Sequence, residues 1–156
     1  MKSILIVVGK TTDKHFIAGI ADYCSRINHY MPFELLVIPE LKNTKSLSES
    51  QQKEREGELI LKSLQPADTV VLLDEHGEEW RSIAFASWLQ KKQQLTRRLV
   101  FVVGGPYGFS SAIYNRAQEK LSLSKMTFSH QMIRLIFTEQ LYRACTIIKG
   151  EPYHHE

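Results

Sequence analysis

The sequence predicts an α/β domain with a mostly parallel sheet flanked by helices. Two observations carry this. Short runs of apolar, largely β-branched residues recur at 4–8, 33–38, 69–73 and 99–103. Strands that are apolar at every position are buried on both faces, as in parallel sheets. Between them lie segments with apolar residues three and four apart, the helical period. Strand and helix thus alternate as a parallel sheet requires. The 156 residues suit one domain spanning 1–156, with no repeat, linker or low-complexity segment.

Each element has its own signal. Residues 4–8 (ILIVV) are closed by Gly9. From 13 to about 30, Phe16, Ile17, Ile20, Tyr23, Cys24 and Ile27 make one apolar face, capped by Thr12 or Asp13 and ended by Pro32. Residues 33–38 form the second strand, stopped by Pro39, and the polar stretch 40–47 reads as a loop. Ser48 with Gln51 is a capping box, and its helix runs to about residue 64, before Pro66. The third strand, 69–73, ends at Asp74, and His76-Gly77 reads as a turn. Then come a helix over 82–94, the fourth strand over 99–103 and a helix over 110–121 capped by Ser110 or Ser111. A short extended segment over 121–126 and a last helix over 131–149, stopped by Gly150 and Pro152, complete the chain.

Composition narrows the function. With 43% hydrophobic and 24% charged residues the chain is expected to be a soluble globular protein. A net charge of +3 permits a nucleic-acid partner without demanding one. No apolar run approaches a membrane span, and the N-terminal one is too short for a signal-peptide core. Cys24 and Cys145 stand alone, without CxxC, and read as reduced core thiols. A cytoplasmic protein with no membrane partner is expected. The six histidines show no metal spacing, so no metal is expected.

Ligands of open α/β sheets sit beyond the carboxyl ends of strands. Three places qualify: 74–77, Gly104-Gly105-Pro106-Tyr107-Gly108, and the segment after Leu121. The glycine loop is not GxGxxG, GxxxxGK[ST] or GxSxG. It is either a tight strand-to-helix turn or a wall on which a ligand meets bare backbone. The last helix is apolar around almost its whole circumference, through Met132, Ile133, Leu135, Ile136, Phe137, Leu141, Tyr142, Ala144, Cys145, Ile147 and Ile148. One face of it is expected to meet a second copy of the chain. Arg134, Glu139, Gln140 and Arg143 interrupt that surface, and Glu139 with Arg143 has the spacing of a helix-edge salt bridge. Lys91, Lys92, Arg97 and Arg98, with Lys42 and Lys45, are either solvated or a phosphate-holding patch.

"LVFVVGGPYGFS", "LSLSKMTFSHQMIRLIFTEQLYRA" and the ending "PYHHE", with "MPFELLVIPE" and "LLDEHGEEW", resemble the bacterial large-subunit rRNA pseudouridine methyltransferases of the SPOUT class. The resemblance covers the full chain. It implies a C-terminal deep trefoil knot that binds S-adenosylmethionine, and a homodimer. It also implies methylation of N3 of a pseudouridine in the helix 69 loop of 23S rRNA, on the assembled ribosome. Carried over by position, it implies cofactor contacts by Leu73, Gly104, Gly105, Leu123, Ser124, Lys125, Met126, Thr127 and Phe128. A side chain at Gly104 or Gly105 is then expected to block the cofactor before it unfolds the protein.

Methyl transfer to a ring nitrogen needs alignment and a group to hold the developing imide anion. Arg143 is the first candidate, with Glu139 orienting it. His130, Tyr153 and His154 are candidates for substrate contact or proton handling, and the tail of one chain could complete the site of the other. One departure is His155, where the family pattern carries arginine; a histidine is only partly charged near neutral pH. Two other readings compete: a non-catalytic ribosome- or RNA-binding protein, and a flavodoxin-like nucleotide-binding enzyme.

Overall fold

The computed structural model describes residues 1–155. Strands β1 (Lys2–Val8), β2 (Phe33–Ile38), β3 (Thr69–Glu79), β4 (Arg98–Val103) and β5 (Glu119–Ser122) form one sheet in the order β2-β1-β4-β3-β5. Every pairing is parallel. The helices are α1 (Lys14–Asn28), α2 (Glu49–Lys62), α3 (Ser82–Leu95), α4 (Ser111–Arg116) and α5 (Met132–Lys149).

Successive strand side chains alternate faces. Leu5, Val7, Val71, Phe101 and Val103 pack with Ile27 of α1, Phe85 and Leu89 of α3, and Phe137 and Leu141 of α5. Ile4, Ile6, Leu72, Val100 and Val102 pack with Ile60 of α2, Ile113 of α4 and Phe109. Both faces are covered, which is why the strands show no polar alternation. The lone thiols sit in or beside the first core, where burial pushes Cys24 up to about 11 and Cys145 up to about 12. Both stay protonated, and unreactive, at neutral pH.

Asp13 caps α1 by accepting from the backbone N–H of His15 and Phe16, and Ser48 and Gln51 form the expected capping box on α2. Four expectations need correction. There is no turn at His76-Gly77: β3 continues to Glu79, shifting its register on β5 between Leu73 and Glu78. Gly77 serves close approach instead, since a Cβ there would lie 2.6 Å from the backbone carbon of Lys120. The helix expected over 110–121 stops at Arg116, because Ala117 is extended and Gln118 exchanges hydrogen bonds with the Val70 backbone. Pairing with β3 thus claims 119–122 as strand, and 123–128 is irregular. The polar stretch 40–47 contains a single 3-10 turn, Thr44–Ser46.

The last helix is fully buried on one side only within the single chain. Phe137, Leu141, Ala144 and Cys145 are buried, but Ile133, Leu135, Ile136, Tyr142, Ile147 and Ile148 are only half-buried in the single chain. The four basic residues at 91–98 lie toward the amino ends of the strands. Lys42 and Lys45 follow the carboxyl end of β2, so the two groups do not share a surface.

Candidate active site

β4, β3 and β5 are consecutive in space, so the chain leaves their carboxyl ends side by side. The three segments together line one cleft of about 800 Å³, a volume suited to a small-molecule ligand. Leu73, Gly104, Gly105, Leu123, Ser124, Met126, Thr127 and Phe128 all line it, and so does His130. Lys125 does not. Ser124 Oγ accepts from the Met126 N–H at 2.9 Å, a tight turn that leaves Lys125 exposed with Nζ 4.0 Å from Glu79.

The walls are mixed in the way a nucleoside requires. Leu73, Leu121, Leu123, Phe128 and Ile133 are apolar, while 104–108 presents peptide groups with little side chain. Asp74, also in the cleft, accepts from the hydroxyl of Tyr114 and from the His76 N–H. Burial, then the bond to Asp74, pushes the Tyr114 phenol up to about 12. The glycine loop closes on itself through Gly108 N–H to Gly105 O at 3.1 Å.

Two buried ionisable groups support these segments, and neither was assigned a role from sequence. Glu56 of α2 is 4% exposed, and its Oε1 has no partner among the described residues. It lies behind the glycine loop: a Cβ on Gly105 would sit 2.4 Å from Glu56 Oε1. Burial raises the Glu56 pKa, against the opposing bond from Gln52. Arg134 of α5 is 1% exposed. Its Nη2 donates to Val8 O at 2.9 Å, its Nη1 to Gly9 O at 2.8 Å and Thr11 Oγ1 at 3.0 Å, and its Nε to His130 O at 2.9 Å. The fork ties the end of β1 to the end of the 123–131 segment. The only sequence signal was a charge between Ile133 and Leu135 on an apolar helix.

Arg143, Glu139, Tyr153 and His154 also come together, but outside the cleft. Arg143 Nη2 donates to Glu139 Oε1 at 2.5 Å and Nη1 to His154 Nδ1 at 3.1 Å. The Tyr153 hydroxyl donates to the same Glu139 oxygen at 3.0 Å, and the guanidinium carbon lies 4.8 Å from the centre of the Tyr153 ring. Gly150, at φ 70°, turns the tail back onto α5, so Tyr153 and His154 are half-buried rather than loose. Ile133 lines the cleft, and Arg143, ten residues on, is about 15 Å further along the helix axis. Glu139 and Arg143 thus make the ion pair that their spacing of four predicts, yet within one chain only His130 of the five candidates reaches the cleft. Arg143 Nε is buried without an acceptor among the described residues. Tyr153 is raised by burial first, then by hydrogen bonds with Tyr23 and Glu139. It stays protonated at neutral pH and acts as a donor.

The chain matches the family described as "Predicted SPOUT methyltransferase" over residues 1–154. It belongs to the SPOUT methyltransferase family. Curated relatives named "Ribosomal RNA large subunit methyltransferase H" match it end to end. The one from Bacteroides fragilis is 64% identical over all of both chains. The one from Porphyromonas gingivalis is 54% identical, again over all of both, and the one from Flavobacterium johnsoniae is 56% identical over 97% of this chain and 98% of its own. Among solved structures, the SpoU methyltransferase AviRb from Streptomyces viridochromogenes, in complex with AdoMet, aligns with a TM-score of 0.46. That alignment has 13% identity and covers 96% of this chain and 58% of the other.

As a SPOUT methyltransferase the protein is an enzyme, and its cofactor is S-adenosylmethionine. The cleft fits that group: apolar walls for an adenine, open peptide groups for its polar edge, and a volume of about 800 Å³. The expectation for Gly105 is corrected by Glu56. An added methyl meets the buried carboxylate behind the loop, so Gly105→Ala shifts the loop instead of filling the cleft. We expect cofactor affinity at least about tenfold weaker, together with a stability loss of about 1–3 kcal/mol from overpacking. Calorimetric titration and thermal melting check this. Glu56→Ala in the same chain should restore part of both, since the two sites are in contact.

Proposed function

We propose that this protein methylates large-subunit ribosomal RNA at N3 of a pseudouridine in the helix 69 loop, acting on the assembled ribosome as a homodimer. One observation carries the reading. Three segments distant in sequence meet in one cleft, in a SPOUT methyltransferase matched end to end by relatives named for large-subunit rRNA methylation. The whole chain, 1–156, is read as one SPOUT domain, working in the cytoplasm where ribosomes are. Its proposed knot is supported by the path of the chain. The segments after β4 and β5 line the same cleft, and α5 then returns across the sheet to pack on α1 and α3.

Bound S-adenosylmethionine supplies a methyl group on a positively charged sulfur. The residues of this chain supply the rest. Loops 104–108 and 123–128 hold the donor and shed water from it. His130 stands at the cleft, within reach of an incoming base. Arg143 holds the negative charge that develops on the imide as its N3 proton passes to a base at the cleft, the role for which His130 is placed. Tyr153 and Glu139 fix the plane of that guanidinium.

Because the Arg143 cluster lies away from the cleft of its own chain, its proposed partner is the cleft of a second copy. Three features support a dimer through this face: the half-buried apolar residues of α5, the exposed Ile17 (47%) and Ile83 (41%) on α1 and α3, and an Arg143 Nε with no acceptor among the described residues. The test is labelled methyl transfer to whole ribosomes, free large subunits and naked rRNA, side by side. Transfer to whole ribosomes, mapped to N3 of one pseudouridine, is expected. Cofactor binding without transfer to any of the three would leave a non-catalytic RNA-binding role instead.

A further inference from the structure

All five strands run the same way, so every segment that follows a strand emerges at one rim of the sheet. That rim is electrostatically two-sided. On the β1–β2 side, Lys10 and Lys14 follow β1, Lys42 and Lys45 follow β2, and Lys53 lies near the start of α2. Lys53 lines the cleft itself. The Lys10 carbonyl accepts from Gln131 Nε2 at 3.2 Å, beside the cleft residue His130. None of these five lysines is in an ion pair among the described residues. Four carboxylates share the flank: Asp13, committed to the α1 N-cap, Glu40, Glu49 and the buried Glu56.

The β3–β5 side is the reverse. The long end of β3 carries Asp74, Glu75, Glu78 and Glu79, against Lys120, Lys125 and Arg81, and is net acidic. At the opposite rim, where the strands begin, three cations are paired. Lys2 pairs with Glu34, Lys92 with Glu119, and Arg98 with Asp68.

Resting on the function proposed above, we infer that substrate RNA enters over the β1–β2 side of the rim. Lys10, Lys14, Lys42, Lys45 and Lys53 hold its phosphates, and the carboxylates of the β3 extension keep the RNA backbone off the other flank. Charge sorted in this way orients a polyanion before any base is read. It also gives a chain of modest net charge a locally positive landing face.

The test uses the full-length protein and ribosomes, with binding measured across a salt series and cofactor affinity measured in parallel. Lys42→Glu with Lys45→Glu is expected to weaken ribosome binding about tenfold or more. The slope of log K against log salt should become shallower by about 1–2. Cofactor affinity should stay within about twofold, since neither lysine lines the cleft. Lys91→Glu with Arg97→Glu, at the far edge, should bind as wild type, and Glu78→Lys with Glu79→Lys as wild type or tighter. Wild-type binding by the 42/45 variant, or equal weakening by the 91/97 variant, overturns the inference while methyl transfer by the parent protein leaves the proposed function standing. A parent protein that neither binds nor methylates any ribosomal RNA overturns both.

Discussion

Arg143→Ala is expected to lower methyl transfer about 10²–10³-fold, the usual cost of removing one donor aimed at developing charge. Cofactor affinity should hardly change, because the proposed role of Arg143 is toward the charge developing on the base rather than toward the cofactor. A loss confined to cofactor affinity would assign the residue to binding instead. Arg143→Lys should recover little, since one ammonium cannot hold Glu139 and His154 while presenting a free N–H in a fixed plane. Mixed dimers then test where the cluster acts. Co-expressing a Gly105→Ala chain with an Arg143→Ala chain yields heterodimers with both lesions in one site if Arg143 serves its partner. The other site is then intact, and activity returns. If each chain uses its own Arg143, both sites of the heterodimer are damaged and activity stays low.

Arg134→Met is expected to lower stability by about 3 kcal/mol or more. It strips a charged donor from the carbonyls of Val8, Gly9 and His130, and each buried acceptor left unpaired costs about 1–3 kcal/mol. For a chain of this size that is a fall in Tm of about 6–12 °C. Arg134→Lys should be nearly as damaging, because a single ammonium cannot span acceptors on β1 and on the 130 turn at once. Because the fork anchors the 123–131 segment, the cofactor should bind more weakly even well below the melting temperature. A Tm within about 2 °C of the parent would show that the fork contributes little.

Arg134 also shows where a reading of the sequence runs out. Its neighbours Ile133 and Leu135 advertise a buried helix, and a charge among them looks like an interruption. Only the packing of α5 against the end of β1 supplies the carbonyls that make it a tie. Glu56 is the same case: on an otherwise polar helix it looks solvated, yet the glycine loop closes over it. The cleft-lining segments were more legible, because the apolar runs ending at Leu73 and Val103 mark strand ends, and strand ends in a parallel sheet share one rim. The nine positions themselves came from the family motifs, and Lys125 alone of them does not line the cleft. The grouping of Arg143 with Glu139 follows from a spacing of four, whereas its distance from the cleft follows from the length of α5, which no local pattern reveals.

By itself the sequence determined what depends on neighbours along the chain: buried strands from apolar runs, helices from a period of three and four, the capping box at Ser48, caps narrowed to Thr12 or Asp13 and to Ser110 or Ser111, and a parallel α/β class from their alternation. The tertiary structure decided what depends on neighbours in space. It ended α4 at Arg116 because β3 recruits the next residues into its ladder. It carried β3 through Gly77, where the β5 backbone comes too close for any side chain. It sent the basic residues of 91–98 to one edge of the sheet and the lysines at 42 and 45 to the other. The physical reason is the same throughout. Periodicity reports which face of an element is apolar, but hydrogen-bond partners, register and the sharing of a rim are set by which elements pair, and that information lies in contacts between residues far apart in the chain.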